Sequence, residues 1–515
     1  MIPVELENNT SYTVSFRYKA KFAEGKELIQ LDVTQGTEEN RSYAGSYVSL
    51  ANSNGEVQQR LMRLLDGGNA DEIGNWDVNK VRNTDWKTCT YKILANESST
   101  YAMLNWIFYW NEPTESAIYF DNISIQKTPT ATFVTGDGAT SIDSITENPG
   151  TVITPGCPTR AGYTFKGWYV NGEYAGFDKL TMPKENVTYT AEWKRVLSVG
   201  NVDADEENVI DGSDLTQLKK ILLGSVAEYE IALADCTGNG TVDILDLVRL
   251  KKYLASPSEI TLGKTVDGAT GYQLVWNEEF DGSALDSNTF IANQIQGNVD
   301  GITFTDEQVD VSDGTLKLWA VQNEDGTVAC AKGVTTDNTM NFKHGYVEVR
   351  AKLPYLGQGE FPAIWSTSSS AKLAGTQNER SLEIDLAENM GGGTLQAQVH
   401  NWGPDSTTGT DDNMNLITDN KKLNLTESNG FHTYGMLWTE TEIKFYLDGT
   451  PYASYTFKND TNMPEEVANQ LISLRISNGF NKDSEMQLSN LENNAVEVDY
   501  VRLYQIPTDS ILISK

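Results

Sequence analysis

Glu383, Asp385 and Glu388 crowd into "SLEIDLAENMGG", residues 381 to 392. On a regular β-strand the side chains at i, i+2 and i+4 share a face, so a spacing of i, i+2, i+5 sends Glu388 to the opposite side. One extra residue taken up as a β-bulge brings it back and re-aims the last carboxylate. The spacing therefore predicts a bulged strand with three acids on one face. Two carboxylates held about 5 to 5.5 Å apart across a glycosidic bond can cleave it with retention, one attacking the anomeric carbon and the other protonating the departing oxygen. An acid between them can bond to its neighbours and, as a like charge, keep one of them protonated near neutral pH. Spacing alone leaves a solvated acidic edge or a cation site open as alternatives.

A second constellation is "DCTGNGTVDILD". Asp235, Thr237, Asn239, Thr241 through its carbonyl, Asp243 and Asp246 fall at loop positions 1, 3, 5, 7, 9 and 12, with Gly240 at position 6. Calcium needs six to eight oxygens about one centre, and this spacing with a glycine at the tight bend is the EF-hand solution, here closed by Asp in place of Glu. The helix after it, "DILDLVRLKKYLAS", repeats "DGSDLTQLKKILLG" at an offset of 32 residues (Asp243 minus Asp211), with Leu and Ile at helical spacing in both. The loop before the first copy, "NVDADEENVIDGSD", offers Asn201, Asp203, Asp205, Asp211 and Asp214, but two additional residues separate Asp205 from Asp214. That loop is expected to bind calcium in a distorted or weakened way, or not at all.

These groups need elements to hold them. The chain has 515 residues, enough for about three to five domains. Hydrophobic residues at 39% and aromatics at 10% fit folded, β-rich modules. A formal net charge of -33 makes phosphate backbones and anionic lipid surfaces poor partners, and fits a neutral polymer or a bound cation. No run of about 20 apolar residues suggests a membrane span. The N-terminus "MIPVELENNTSYTVSF" has no signal peptide pattern and reads like the middle of a strand pair, so we expect a fragment with its export signal and first strands missing. Cys89, Cys157, Cys236 and Cys330 each fall in a different segment, which leaves none an obvious disulfide partner.

Residues 1–128 alternate as short strands and turns, and "SYTVSFRYKA" with "IYFDNISIQK" resembles the jelly-roll carbohydrate-binding modules around families 4, 9 and 22. Trp76, Trp86, Trp106 and Trp110 are candidates to stack on sugar rings, against the simpler reading that most are core. Residues 129–195, with "PTRAGYTFKGWY" and "YTAEW", are similar to the Listeria-Bacteroides repeat, a small β-grasp-like module. Trp168 and Trp193 are expected in its core and the module as a spacer. Residues 196–257, the paired loop and helix units, resemble a dockerin. That resemblance implies structural calcium and a cohesin-bearing scaffold as partner; a calcium-stiffened hinge is the alternative.

Residues 258–507 give about a dozen short strands, enough for one large sandwich, followed by a tail at 508–515. "HGYVEVRAKLP", "FPAIW", "EIDLAE", "FHTYGMLWTETEIKFYLDG" and "VEVDYVRLYQ" occur in the order of glycoside hydrolase family 16, which this module resembles. The resemblance implies a β-jelly roll with Glu383 as nucleophile, Asp385 as assisting acid and Glu388 as general acid/base, and no catalytic cofactor. The one-residue insertion is similar to the laminarinase, agarase and carrageenase branches. By the same resemblance Trp365 is an aromatic platform, Arg350 a hydrogen-bond donor in the cleft, His400 a residue reaching the cleft and Trp402 an extension of the platform. "AIW" followed by Ser366, and "RISNGFNKDSE" without Gly-Gly and Trp, depart from laminarinases and bear on substrate. The expectation is a mainly β, multidomain, extracellular or cell-surface endo-β-1,3-glucanase acting on polysaccharide. A galactan-cleaving enzyme and a non-catalytic binding protein are the alternatives.

Overall fold

The computed structural model describes the chain outside residues 1–3, 6, 8, 22–27, 37–49, 52–56, 59–84, 95–100, 110–116, 294, 296–299, 355–359, 375–379, 390–393, 404–422, 425–429, 458–462, 481–494, 507–510 and 515. The chain falls into two compact units: Met1–Val134 with Asp143–Pro155 and Lys179–Tyr189, and Thr135–Ile142 with Gly156–Asp178 and Thr190–Lys515. Residues of segment 129–195 occur in both units.

In the first unit Ser11–Lys21 lies between Lys87–Leu94 and Ala117–Lys127, antiparallel to both. Its alternation buries Tyr12, Val14 and Phe16. Tyr101–Tyr109 pairs with Leu28–Gly36 in a separate sheet. Trp86 is exposed, with the Arg17 guanidinium 5.0 Å above its ring. Trp106 lies in the strand 101–109; its side chain, and Trp76 and Trp110 altogether, lie outside the described residues.

The second unit opens with the strand Tyr163–Val170, where Trp168 is fully buried and its indole N–H donates to the Gly156 carbonyl at 3.2 Å. Trp193 is half-buried and donates to the Thr135 carbonyl at 2.9 Å. The duplicated segment forms helices α1 (Gly212–Leu222) and α3 (Ile244–Ala255), with a short α2 (Ile231–Ala234) between them. Asp211 with Asp214 and Asp243 with Asp246 form capping boxes, so the acid three residues into each helix reaches back to the cap backbone. Leu218, Ile221, Leu250 and Cys236 make the core of this segment. Cys157, Cys236 and Cys330 are buried thiols outside any disulfide, and Cys330 Sγ donates to the Asn478 carbonyl at 3.0 Å.

The sandwich that follows is built of two antiparallel sheets. The strands that concern its site are β1 (Ala269–Glu278), β2 (Gly345–Lys352), β3 (Glu360–Ser368), β4 (Ser381–Asn389), β5 (Thr394–Trp402), β6 (His432–Trp438), β7 (Ile472–Phe480), β8 (Ala495–Gln505) and β9 (Ile511–Ser514). One sheet orders them β7-β3-β4-β5. The other orders them β1-β8-β2-β6. Val347, Val349 and Ala351 of β2 meet Ile364, Ile384, Leu474 and Ile476 of the first sheet in one apolar core. The 508–515 segment is more than a tail: β9 pairs antiparallel with Met340–Lys343 and, through Ile513, parallel with Phe165.

Candidate active site

Antiparallel partners share a face, so the register of the first sheet lays out its outer surface as rows. One row reads Ser473, Thr367, Glu383, His400; the next reads Arg475, Trp365, Asp385, Gln398; the third reads Ser477, Ala363, Glu388, Gln396. Between the second and third rows β4 advances from Asp385 to Glu388 while β5 moves only from Gln398 to Gln396. This is the expected bulge. Leu386 and Ala387 both drop into the core, and the three acids return to one face.

The surroundings set their charge. Asp385 and Glu388 are buried, and Glu383 is half-buried. Burial, and then the charge of Asp385, push the Glu383 carboxyl up to about 8. Burial likewise raises Glu388, opposed by hydrogen bonds from Gln398 and Gln396 and by the charge of His400. Asp385 is raised by burial and by Glu388. Three acids this close in one patch hold protons as a set and release them one at a time. The His400 Nε2 lies 3.2 Å from the buried Asp385 Oδ2. Trp402 hydrogen-bonds to Glu383 and stacks on His400, ring centres 5.2 Å apart.

Of the expected site residues, Glu383, Asp385, Glu388, Trp365, His400 and Trp402 come together on this face. Arg350 does not. On β2 the core residues are Val347, Val349 and Ala351, so Arg350 has the other parity and projects from the outer face of the opposite sheet. There it pairs with Asp499 and covers the Phe431 ring at 4.7 Å. The guanidinium on the acidic face belongs to Arg475 of β7, which lies 5.1 Å above the Trp365 ring. Its Nε is buried with no acceptor, and burial lowers its basicity. Arg475, Gln396 and Gln398 escaped the sequence reading, although alternation marks them: Arg475 sits between core residues Leu474 and Ile476, and both glutamines share the parity of His400.

The oxygens of Glu383 and Asp385 and a His400 ring nitrogen lie within 4.8 Å of one another, close enough for a cation as well as for acid chemistry. In the second loop Asp235 Oδ1 accepts from the Gly238 and Asn239 amides at 2.7 and 3.1 Å, and Oδ2 accepts from Gly240 at 2.7 Å. Asp246 accepts from the Thr237 and Asp243 amides at 2.9 and 2.8 Å. Both carboxylates are buried, and burial raises Asp246 with the Asp235 charge adding to it, a surplus of negative charge that suits a hard cation. Thr241 carries the hydroxyl that bonds Asn239 Oδ1 at 2.9 Å. The first loop takes up its insertion with left-handed turns at Ala204 and Asn208. Asn201 is turned onto its own loop, donating to the Asp205 carbonyl at 3.1 Å and to Asn208 at 3.1 Å. Asp203 accepts from Ser213 at 2.5 Å, Asp205 from Val209 at 3.1 Å, and Asp211 and Asp214 serve the α1 cap.

The bulged strand thus carries three acids beside the Trp365 ring on one sandwich face. Comparison with known proteins gives a family for this domain. Residues 275–506 match the family model described as beta-porphyranase A-D, GH16 domain; 201–255 match the dockerin type I domain, and 130–192 the Listeria-Bacteroides repeat domain. The chain therefore carries a glycoside hydrolase family 16 domain beside a dockerin type I domain. It is 27% identical over 288 residues to "Glucan endo-1,3-beta-glucosidase A1" of Niallia circulans, covering 49% of this chain and 41% of that protein. It is 25% identical over 296 residues to "Keratan-sulfate endo-1,4-beta-galactosidase" of Sphingobacterium multivorum, covering 56% and 67%. The laminarinase from Flavobacterium sp. UMI-01 aligns in structure at 23% identity and a TM-score of 0.36, over 45% of this chain and all of that one. The chain thus spans less than half the length of the first of these relatives.

Proposed function

We propose that the sandwich is a retaining endo-β-glycanase and that its substrate is a β-1,3-glucan. The observation that carries this reading is the bulge at Leu386–Ala387, which turns Glu383, Asp385 and Glu388 onto one face. In its ionised form Glu383 attacks the anomeric carbon while Glu388 gives its proton to the departing oxygen, leaving a glycosyl ester on Glu383. Glu388, now a carboxylate, takes a proton from water as that water attacks the same carbon, and Glu383 leaves with its bonding pair. Asp385 holds a proton between them. Trp365 and Trp402 offer ring faces to the sugar, and His400 supplies positive charge when protonated.

One observation favours a second substrate. Arg475 brings a guanidinium with an unbonded Nε into the row of Trp365 and Asp385, which fits a galactan bearing acidic or acceptor-rich substituents better than plain glucan. Dockerin type I domains generally bind calcium. Here calcium is assigned to the loop of Asp235 and Asp246, a cohesin-bearing scaffold to the dockerin, and an extracellular setting to the whole. No described helix is long and apolar enough to cross a membrane.

The test is release of reducing ends from laminarin, mixed-linkage glucan, agarose, porphyran and keratan sulfate, with Glu383→Ala as blank. Cleavage of laminarin above the blank supports the glucanase. Cleavage confined to a galactan keeps the mechanism and moves the substrate, and silence on all five favours a binding protein.

A further inference from the structure

The second calcium loop does not hang free on a linker. Its backbone is fastened to the outer face of the sandwich at three points. The Cys236 carbonyl, next to Asp235, accepts from the Gly263 amide at 3.0 Å. The Gly238 carbonyl accepts from Lys264 Nζ at 3.4 Å, and that ammonium also pairs with Glu348 of β2 at 3.2 Å and lies 4.8 Å above the Tyr504 ring of β8. Gly240, at the tight bend of the loop, is pressed against the Arg502 guanidinium so closely that a Cβ there would collide with it. Arg502 is itself clamped to Glu279 by bonds of 2.9 and 2.8 Å. Beneath these contacts Ala232 of α2 packs on an apolar patch that includes Tyr272, Leu274, Tyr346 and Tyr504.

We propose that this loop and the outer sheet of the catalytic domain form one cooperative unit, so that calcium bound by Asp235 and Asp246 stabilises strands of the sandwich as well as the dockerin. The inference rests on the assignment of calcium to that loop. Its physical basis is short. Two buried carboxylates with no cation repel, and the turn that aims the Gly238 carbonyl at Lys264 and lays Gly240 on Arg502 is the same turn that gathers the ligands. A cation that fixes the turn therefore fixes the hold on β2 and β8, and opening of that hold must release the cation. Ligand binding to the closed form alone lowers the open population by the factor 1 + [L]/Kd.

The experiment is hydrogen exchange by mass spectrometry on the full chain, in calcium at about a hundred times its Kd and in chelator. If the strands feel the ion in full, exchange in 269–278, 345–352 and 495–505 slows by about a hundredfold in step with 235–255. Asp246→Ala should lose the calcium effect in both regions. Lys264→Met with Arg502→Met, which leaves every loop ligand in place, should keep it in 235–255 and lose it in the strands. Protection of 235–255 with unchanged strands in the wild type overturns the cooperative unit and leaves calcium binding intact. No calcium effect in either region overturns the calcium assignment itself.

Discussion

The Tyr452 hydroxyl donates a 2.6 Å hydrogen bond to the carbonyl of Leu386, one of the two residues that the bulge turns into the core. A bulge costs the strand a ladder bond and leaves backbone groups to be satisfied, and here a buried side chain answers one of them. The aim of Glu388, two residues on, depends on that carbonyl staying where it is.

Tyr452→Phe should therefore lower stability by about 1–3 kcal/mol, the cost of leaving a buried acceptor unsatisfied. It should also lower kcat more than it raises KM, because the displaced group is the one proposed as proton donor. Denaturant unfolding and steady-state kinetics on the same preparation check both. A loss of stability with unchanged kcat would mean that the bulge holds its shape without the tyrosine.

The two glutamates should fail differently. On the proposed mechanism Glu383→Ala should abolish turnover with the fold intact, since it removes the carboxylate that attacks the anomeric carbon. Glu388→Gln should lose about 10²–10⁴-fold in kcat, the usual worth of a general acid, and should lose less on substrates whose leaving group needs no proton. Aryl glycosides with graded leaving groups measure the difference; equal losses on all of them would reverse the assignment.

His400 lowers the proton affinity of both Glu383 and Glu388 when it carries charge. Its replacement in His400→Gln should shift the limbs of the pH profile of kcat/KM towards alkaline pH. An acid shift, or none, would show that the imidazole is neutral where it matters.

Glu383 also predicts a pH dependence of stability. Its folded carboxyl titrates at about 8 against an ordinary 4.5, so the folded protein retains a proton that the unfolded chain gives up as pH rises through that window. Its contribution to stability is present below 4.5 and is lost as pH climbs towards 8. Glu383→Gln should accordingly gain on the wild type in thermal unfolding at pH 8 relative to pH 4, and an equal difference at both pH values would contradict the shift.

Arg475 should discriminate between substrates. Arg475→Met keeps a side chain over Trp365 but removes the donor, and should raise KM about tenfold or more on a substrate whose acceptor meets the guanidinium, in line with the worth of a charged hydrogen bond. On a substrate lacking that acceptor KM should stay near its wild-type value. Parallel kinetics on laminarin and on any galactan that is cleaved read this directly.

The shared face of the three acids was legible because strand periodicity is strict: a five-residue step from Glu383 to Glu388 admits few solutions besides a bulge. The turn that brings Asp235 and Asp246 onto one loop was legible for the same kind of reason, both lying within twelve consecutive residues. Arg350 was misplaced because alternation fixes the parity of a side chain but not which of two sheets its strand joins. Arg475 was not legible because parity does not tell that its strand pairs beside Trp365, 110 residues away in the chain. The seam between Gly240 and Arg502 joins residues remote in sequence, and no local pattern announces such a contact.

The strand Ile511–Ser514 bears on how the enzyme can be handled. A chain cut at residue 507, where the sequence would end the sandwich, loses the segment that covers Met340–Lys343. That cut lays bare a row of unpaired amides and carbonyls on the sheet that carries the acids, a template for edge-to-edge self-association. A shortened enzyme of this kind should come out of expression clumped, while an affinity tag added beyond Lys515 should leave it monodisperse.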